Sequence, residues 1–255
     1  MRRTGMRVLS ALLTVAMIAT LLVVPAVAAG TKTVATNFGE GIPSDTIFSF
    51  SGTTTGTKGT APTITVGEST ITPTKGYKLA AKAASNITFS TQGAGKLKVI
   101  VTAGSTTANK VGLELDNEAA TGLDAQTSTA QTIELTVAKA GSHTLTSKSG
   151  STSTDMYVWY VEWIPNTYAL TAAETTNGTV KFKVDNAEAT KAAEGDVVTI
   201  VPTADAGYKV GEITTSPTLS VTDNQFTMPA EAVTVTVTFA ADSRSDADIV
   251  ADVVA

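Results

Sequence analysis

The chain of 255 residues has no cysteine, a single histidine, and an aromatic content of only 5%. Without cysteine there is no disulfide framework and no lipid anchor on a processed amino-terminal cysteine, so stability must come from packed apolar cores. With no cysteine and no second histidine, a zinc site and a cysteine or serine triad are effectively excluded. Charge is sparse as well: charged residues make up 16% of the chain, with 18 basic against 23 acidic side chains. That balance argues against nucleic acid and against anionic membrane surfaces as partners, because both need basic patches. Helical periodicity is missing from nearly the whole chain, which leaves sheet as the expected structure.

The first segment is a separate matter. Arg2, Arg3 and Arg7 precede an apolar run from Val8 to Val24, closed by Pro25-Ala26-Val27-Ala28-Ala29. A positive start, a short apolar stretch and an Ala-x-Ala end make a secretory signal peptide over residues 1–29, and with it an extracellular location, secreted or cell-surface. An uncleaved anchor is the competing reading. Removing three arginines from 18 basic side chains leaves 15 against 23 acidic ones, a net charge of −8 for the mature chain. About 225 mature residues allow one large or two small domains.

From Gly30 to Pro165, short runs of alternating hydrophobicity recur between turn clusters: Ile47 to Phe50, Ile64 to Val66, Asn86 to Phe89, Leu97 to Val101, Val111 to Leu115, Ile133 to Val137, Thr144 to Thr146 and Met156 to Ile164. Many short strands at this spacing describe a β-sandwich or jelly roll. Period two puts Leu97, Val99 and Val101 on one face with Lys96 and Lys98 opposite, and Ile133, Leu135 and Val137 against Thr132, Glu134 and Thr136. The last strand carries both tryptophans and two of the five tyrosines, and Pro165 ends it.

From about Asn166 to Ala240 the turn signals are denser. Asn177-Gly178 between two alternating runs predicts a hairpin, because both turn positions favour positive φ. Gly195 and Gly207 read as further turn residues, with Tyr208, Phe226 and Met228 as a small core. The tail, 241–255, reads as a short helix that opens a truncated next element or simply frays.

Two stretches carry resemblances. The series Thr46 to Thr53, Lys78-Leu79, Ser85 to Thr91, Gly95 to Val99 and Ala140 to Thr146, followed by the aromatic strand, resembles the β-sandwich modules appended to secreted bacterial pectate lyases and related carbohydrate-active proteins. The resemblance implies a non-catalytic jelly-roll module that binds polysaccharide of plant or bacterial cell wall. His143 stands where such modules usually have an aromatic residue. The series Gly195-Asp196-Val197-Val198-Thr199, Gly207-Tyr208 and Phe226-Thr227-Met228-Pro229 resembles the divergent internalin-B-type B-repeat, a small β-grasp-like module of Gram-positive surface and secreted proteins. That resemblance implies a spacer or adhesive role, with further modules in the same full-length chain.

Candidate site residues follow from the aromatic strand and the acidic turn. Strict alternation puts Tyr157, Trp159, Val161 and Trp163 on one face and Met156, Val158, Tyr160, Glu162 and Ile164 on the other. Glu162 marks the second face as the wetter one. Trp159 is therefore expected in the core, Trp163 half exposed near the domain edge, and Tyr160 facing solvent, so that sugar contacts fall to Tyr160, Glu162 and Trp163. Among the acidic residues Glu114, Asp116, Glu118 and Asp124, a structural Ca2+ would be held by Asp116 and Glu118 in their turn; solvated turn residues are the plainer reading. No other cofactor is expected. His143, on the face of Leu145, is expected to be structural and partly buried. The chain thus reads as an accessory protein with two alternatives, a polysaccharide-binding module or a structural and adhesive stalk.

Overall fold

The computed structural model describes residues 47–243, apart from 53–54, 67–68, 126–128 and 150–151, together with the backbone of Lys32–Val34. The signal peptide expected over 1–29 and the tail from 244 onward lie outside the described residues. Among the described residues no helix is long and apolar enough to cross a membrane. The fold is all-β.

The first unit is a sandwich of two antiparallel sheets. One has the strand order Gln131–Val137, Gly95–Ala103, Met156–Pro165, Gly76–Leu79, Thr55–Gly56, with Lys32–Val34 also paired to Met156–Pro165. The other has the order Glu118–Ala119, Leu113–Leu115, Gly141–Ser147, Asn86–Thr91, Phe48–Phe50. From Gly76 to Pro165 the chain changes sheet at each step between the longer strands, as a jelly roll does. Leu97, Val99, Val101, Ile133, Leu135 and Val137 are buried between the sheets, each facing inward as period two requires. Burial of each such side chain stabilises by about 1.5–3 kcal/mol.

The run Ile64–Val66 does not join either sheet. It pairs only with Ser69–Ile71, and this two-stranded hairpin lies on the outer face of the first sheet.

The second unit consists of two four-stranded sheets. The first orders Lys191–Ala193, Thr167–Ala172, Val233–Ala241, Tyr208–Ser216; the second orders Ala187–Glu188, Gly178–Val184, Val197–Ala204, Gln225–Thr227. The first and last strands of the unit pair in parallel, Leu170 opposite Val233, so its two ends of chain are stitched together. Leu170, Phe182, Val198, Ile200, Phe226, Met228, Val233 and Val235 fill its core.

Two expectations for this unit need correction. Asn177-Gly178 does not make a hairpin: the strands on either side of it, Thr167–Ala172 and Gly178–Val184, belong to different sheets. Asn177 has φ +69, and its carbonyl accepts from the Asp205 amide at 2.9 Å, so the pair forms a corner between sheets. Tyr208 is 37% exposed at the end of an edge strand and is not part of the core.

The tight two-residue turns are made instead by a dipeptide that recurs three times. Asp116-Asn117, Asp185-Asn186 and Asp223-Asn224 each have both φ values positive, +54 and +71, +50 and +65, +52 and +59. Mirror-image turns of this kind match the twist of the strands they join, and Asp and Asn tolerate the left-handed region better than other side chains with a Cβ.

Candidate functional site

The strand Met156–Pro165 decides what the aromatic residues can do. Its neighbour Gly95–Ala103 keeps strict register on both sides of one point: Val158 lies opposite Val101, and Tyr160 lies opposite Ile100. Trp159 is therefore an extra residue with no partner of its own, a β-bulge. A bulge shifts the alternation by one. Met156 and Val158 face the sandwich interior before it, and Val161 and Trp163 face the interior after it. Trp159 and Tyr160, adjacent in sequence, both lie on the outer face.

This arrangement corrects the assignment by simple alternation. Trp163 is 5% exposed and belongs to the main core, where its ring lies 5.8 Å from that of Phe89. Tyr160 is 2% exposed, not solvent-facing, because Ile64 and Ile71 of the outer hairpin pack over it together with Trp159. Trp159 is buried as expected, but in this outer cluster and not between the sheets. Its indole nitrogen donates to the Thr102 hydroxyl at 3.0 Å, so the one polar atom of the ring is satisfied.

Glu162 is the strand's charged residue on this outer face, with its side chain 13% exposed. Its carboxylate accepts from the Tyr160 hydroxyl at 2.8 Å and lies 3.5 Å from the Lys98 ammonium, directly across the strand pair. The same ammonium sits 5.6 Å from the Tyr160 ring centroid. Burial pushes the Tyr160 phenol well above its ordinary pKa, and the Glu162 hydrogen bond and charge push it further the same way. The phenol therefore stays a neutral donor. Of the three residues expected to contact sugar, Tyr160 and Glu162 come together, while Trp163 lies on the opposite side of the sheet.

The expected metal ligands have other work. Asp116 opens one of the Asp-Asn turns, and its two carboxylate oxygens are taken by the Thr144 amide at 2.8 Å and by Nδ1 of His143 at 2.7 Å. Glu118 lies exposed on the short strand beyond the turn. Among the described residues no group of three or more His, Asp or Glu is gathered as a metal would require. The turn is shaped by backbone geometry and by its histidine.

His143 links this turn to the core. Its Nε2 is 3.2 Å from the Thr91 hydroxyl, and its ring is 5.3 Å from that of Phe89. A carboxylate, an imidazole and a hydroxyl in this order have the layout of a nucleophilic triad. Such a triad takes a single histidine, so the lack of a second one does not exclude it, contrary to the expectation from the sequence. Here the hydroxyl is buried and also 3.4 Å from the Lys139 carbonyl. His143 and Asp116 line one end of a pocket of about 370 Å³ at the open edge of the sandwich, with Glu118, Glu134, Lys139 and Leu135 among its other walls. Thr91 was not legible as part of this chain because it is 52 residues from His143 in sequence. The only signal was parity: with His143 opposite Phe89, Thr91 falls on the same inward face two residues on.

Together these features define a tandem all-β protein whose first unit is a sandwich with closed aromatic clusters and a shallow pocket of mixed polarity at its edge. Residues 168–243, which coincide with the second unit, match the family described as the divergent InlB B-repeat domain. No curated protein matches the chain.

Proposed function

We propose that this chain is a non-catalytic accessory module of a secreted or surface protein, in which a sandwich unit is carried next to a B-repeat-like spacer. The observation that supports the reading most directly is the family match over the second unit, since modules of that family occur in surface and secreted bacterial proteins. The burial of three of the four rings on the aromatic strand, Trp159, Tyr160 and Trp163, agrees with it. Rings closed in by neighbours stabilise a module; they offer no flat face to a ligand. On this reading the pair works as a structural or adhesive stalk.

A second reading, binding of cell-wall or plant polysaccharide by the sandwich, is favoured by the pocket beside His143. Its apolar lining at Leu115, Leu135 and Val137, beside Asp116, Glu118, Glu134 and Lys139, gives the mix of apolar surface and hydrogen-bonding groups that sugar rings need. Retention of the purified chain on pectin, xylan, cellulose and peptidoglycan separates the two. Retention lost on Glu118→Ala and Lys139→Ala supports the glycan reading. No retention on any of the four leaves the stalk.

A further inference from the structure

The junction between the two units has no slack. The strand Met156–Pro165 pairs with Gly95–Ala103 to its last residue, Pro165 opposite Gly95, and the strand Thr167–Ala172 begins its own pairing at Thr167 opposite Ala193. Only Asn166 lies between them, and its amide donates to the Ala94 carbonyl at 2.9 Å. Every residue across the junction is thus tied by the backbone to one unit or the other.

The turns on either side also touch. The sandwich turn 92–95 meets the turn 193–196 of the repeat-like unit, and glycine stands at the contact on both sides. A Cβ at Gly93 would lie 2.5 Å from Oε2 and 2.7 Å from Cβ of Glu194. A Cβ at Gly195, where φ is +88, would run into the side chain of Gln92. The second turn is itself braced: the Gly195 amide donates to the Met228 carbonyl at 2.9 Å, and the Asp196 carboxylate accepts from the Ala193 amide at 2.8 Å.

Neighbouring domains joined by a linker and a small interface are expected to move relative to one another. We infer that these two do not: the contact of turn 92–95 with turn 193–196, closed by a one-residue connection, locks the sandwich and the repeat-like unit into a single rigid arm. A spacer can work jointed or stiff, so this inference goes beyond the proposed function and stands whether or not the sandwich binds glycan. The surface on the sandwich turn is a socket for a Gly-Asp turn of the repeat, with the two glycines setting how closely the backbones approach.

The absence of cysteine makes the test direct. Spin labels at Thr132→Cys and Thr236→Cys sit on exposed positions of well-paired strands, one in each unit. Double electron–electron resonance on the full chain should give one narrow distance. Inserting Gly-Gly-Ser after Asn166 changes no residue of either unit and adds a flexible reach of about 10 Å, so the distribution should broaden by a comparable amount. Gly93→Val, which forces the turns apart, should shift or broaden it as well, with tryptophan emission and far-ultraviolet circular dichroism confirming that both units remain folded. A parent chain as broad as the insertion variant overturns the inference. So does a folded Gly93→Val variant with an unchanged distribution.

Discussion

In the repeat-like unit, the strand Val233–Ala241 places Val233, Val235 and Val237 in the core and Thr234, Thr236 and Thr238 outside. In the sandwich, the strand Met156–Pro165 keeps that rule for four residues, breaks it at Tyr160, and resumes it in the opposite phase. The first strand builds one core. The second feeds two, with Met156, Val158, Val161 and Trp163 inward and Trp159 and Tyr160 outward beneath a hairpin, the bulge setting the phase of the residues after it. Uninterrupted alternation is enough for a small module with a thin core. A regular strand can also serve both faces of a sheet; what the irregularity adds is to put two consecutive aromatics, Trp159 and Tyr160, on the same face.

The largest test of that contrast is Trp163→Ala. It removes the biggest inward ring after the bulge and should destabilise the sandwich by about 3–5 kcal/mol. Both tryptophans lie in the sandwich, so Trp159 emission in a urea titration still reports that unit, while far-ultraviolet circular dichroism follows the two together. The repeat-like unit should unfold at its original midpoint; a matching shift there would mean that the two cores are energetically one.

The second test uses the repeated turn. Asp116 and Asp185 hold the same position in Asp-Asn turns with φ of +54 and +50, so the backbone penalty of replacing either by alanine is shared. Only Asp116 also accepts from His143 and Thr144. Asp116→Ala should therefore cost about 1–3 kcal/mol more than Asp185→Ala, the usual penalty for leaving buried donors unmatched. Equal losses from thermal melts of the two variants would reduce the histidine link to decoration. His143 is the only histidine, so its imidazole resonances also report the loss of the partner without assignment.

The smallest expected effect is a pH dependence confined to the outer cluster. A phenol held above its ordinary pKa keeps its proton in the folded state when the unfolded chain has lost it. Its contribution is fully present below the ordinary phenol value of about 10 and declines as pH rises above it. Tyr160→Phe should cost about 0.5–1.5 kcal/mol at neutral pH through the lost Glu162 hydrogen bond. It should also flatten the fall in melting temperature between about pH 9 and 11. An unchanged slope would mean that Tyr160 titrates as freely as an exposed phenol.

Much of this architecture was legible in the sequence. Alternation at Leu97, Val99 and Val101 and at Ile133, Leu135 and Val137 assigned faces that the sheets keep. Gly195 and Gly207 do take positive φ, at +88 and +83. His143 is buried, as its parity with Leu145 implied. What failed depended on non-local information. A bulge leaves no mark in composition, so Tyr160 and Trp163 were given the wrong exposures. The outer hairpin Ile64–Val66 and Ser69–Ile71 looked like any other short strand, although it covers the face where a ligand platform was expected. Asn177-Gly178 has the chemistry of a hairpin turn, but pairing partners far along the chain made it a corner. The Asp-Asn turns carried a weaker local signal and won, because their flanking strands do pair.

The extra residue at Trp159 also acts as a frameshift along the strand. Everything beyond it, through Pro165 to Asn166, is read half a pleat out of step with what precedes it. Excising that one residue would leave a continuous ladder, with Val158 and Tyr160 opposite the consecutive residues Val101 and Ile100, so Val161 and Trp163 would still face inward and the chain would leave the sandwich as it does now. The bulge thus absorbs an inserted tryptophan within one step of the ladder, seven residues upstream of the junction, and leaves the pairing that carries the chain to the second unit intact.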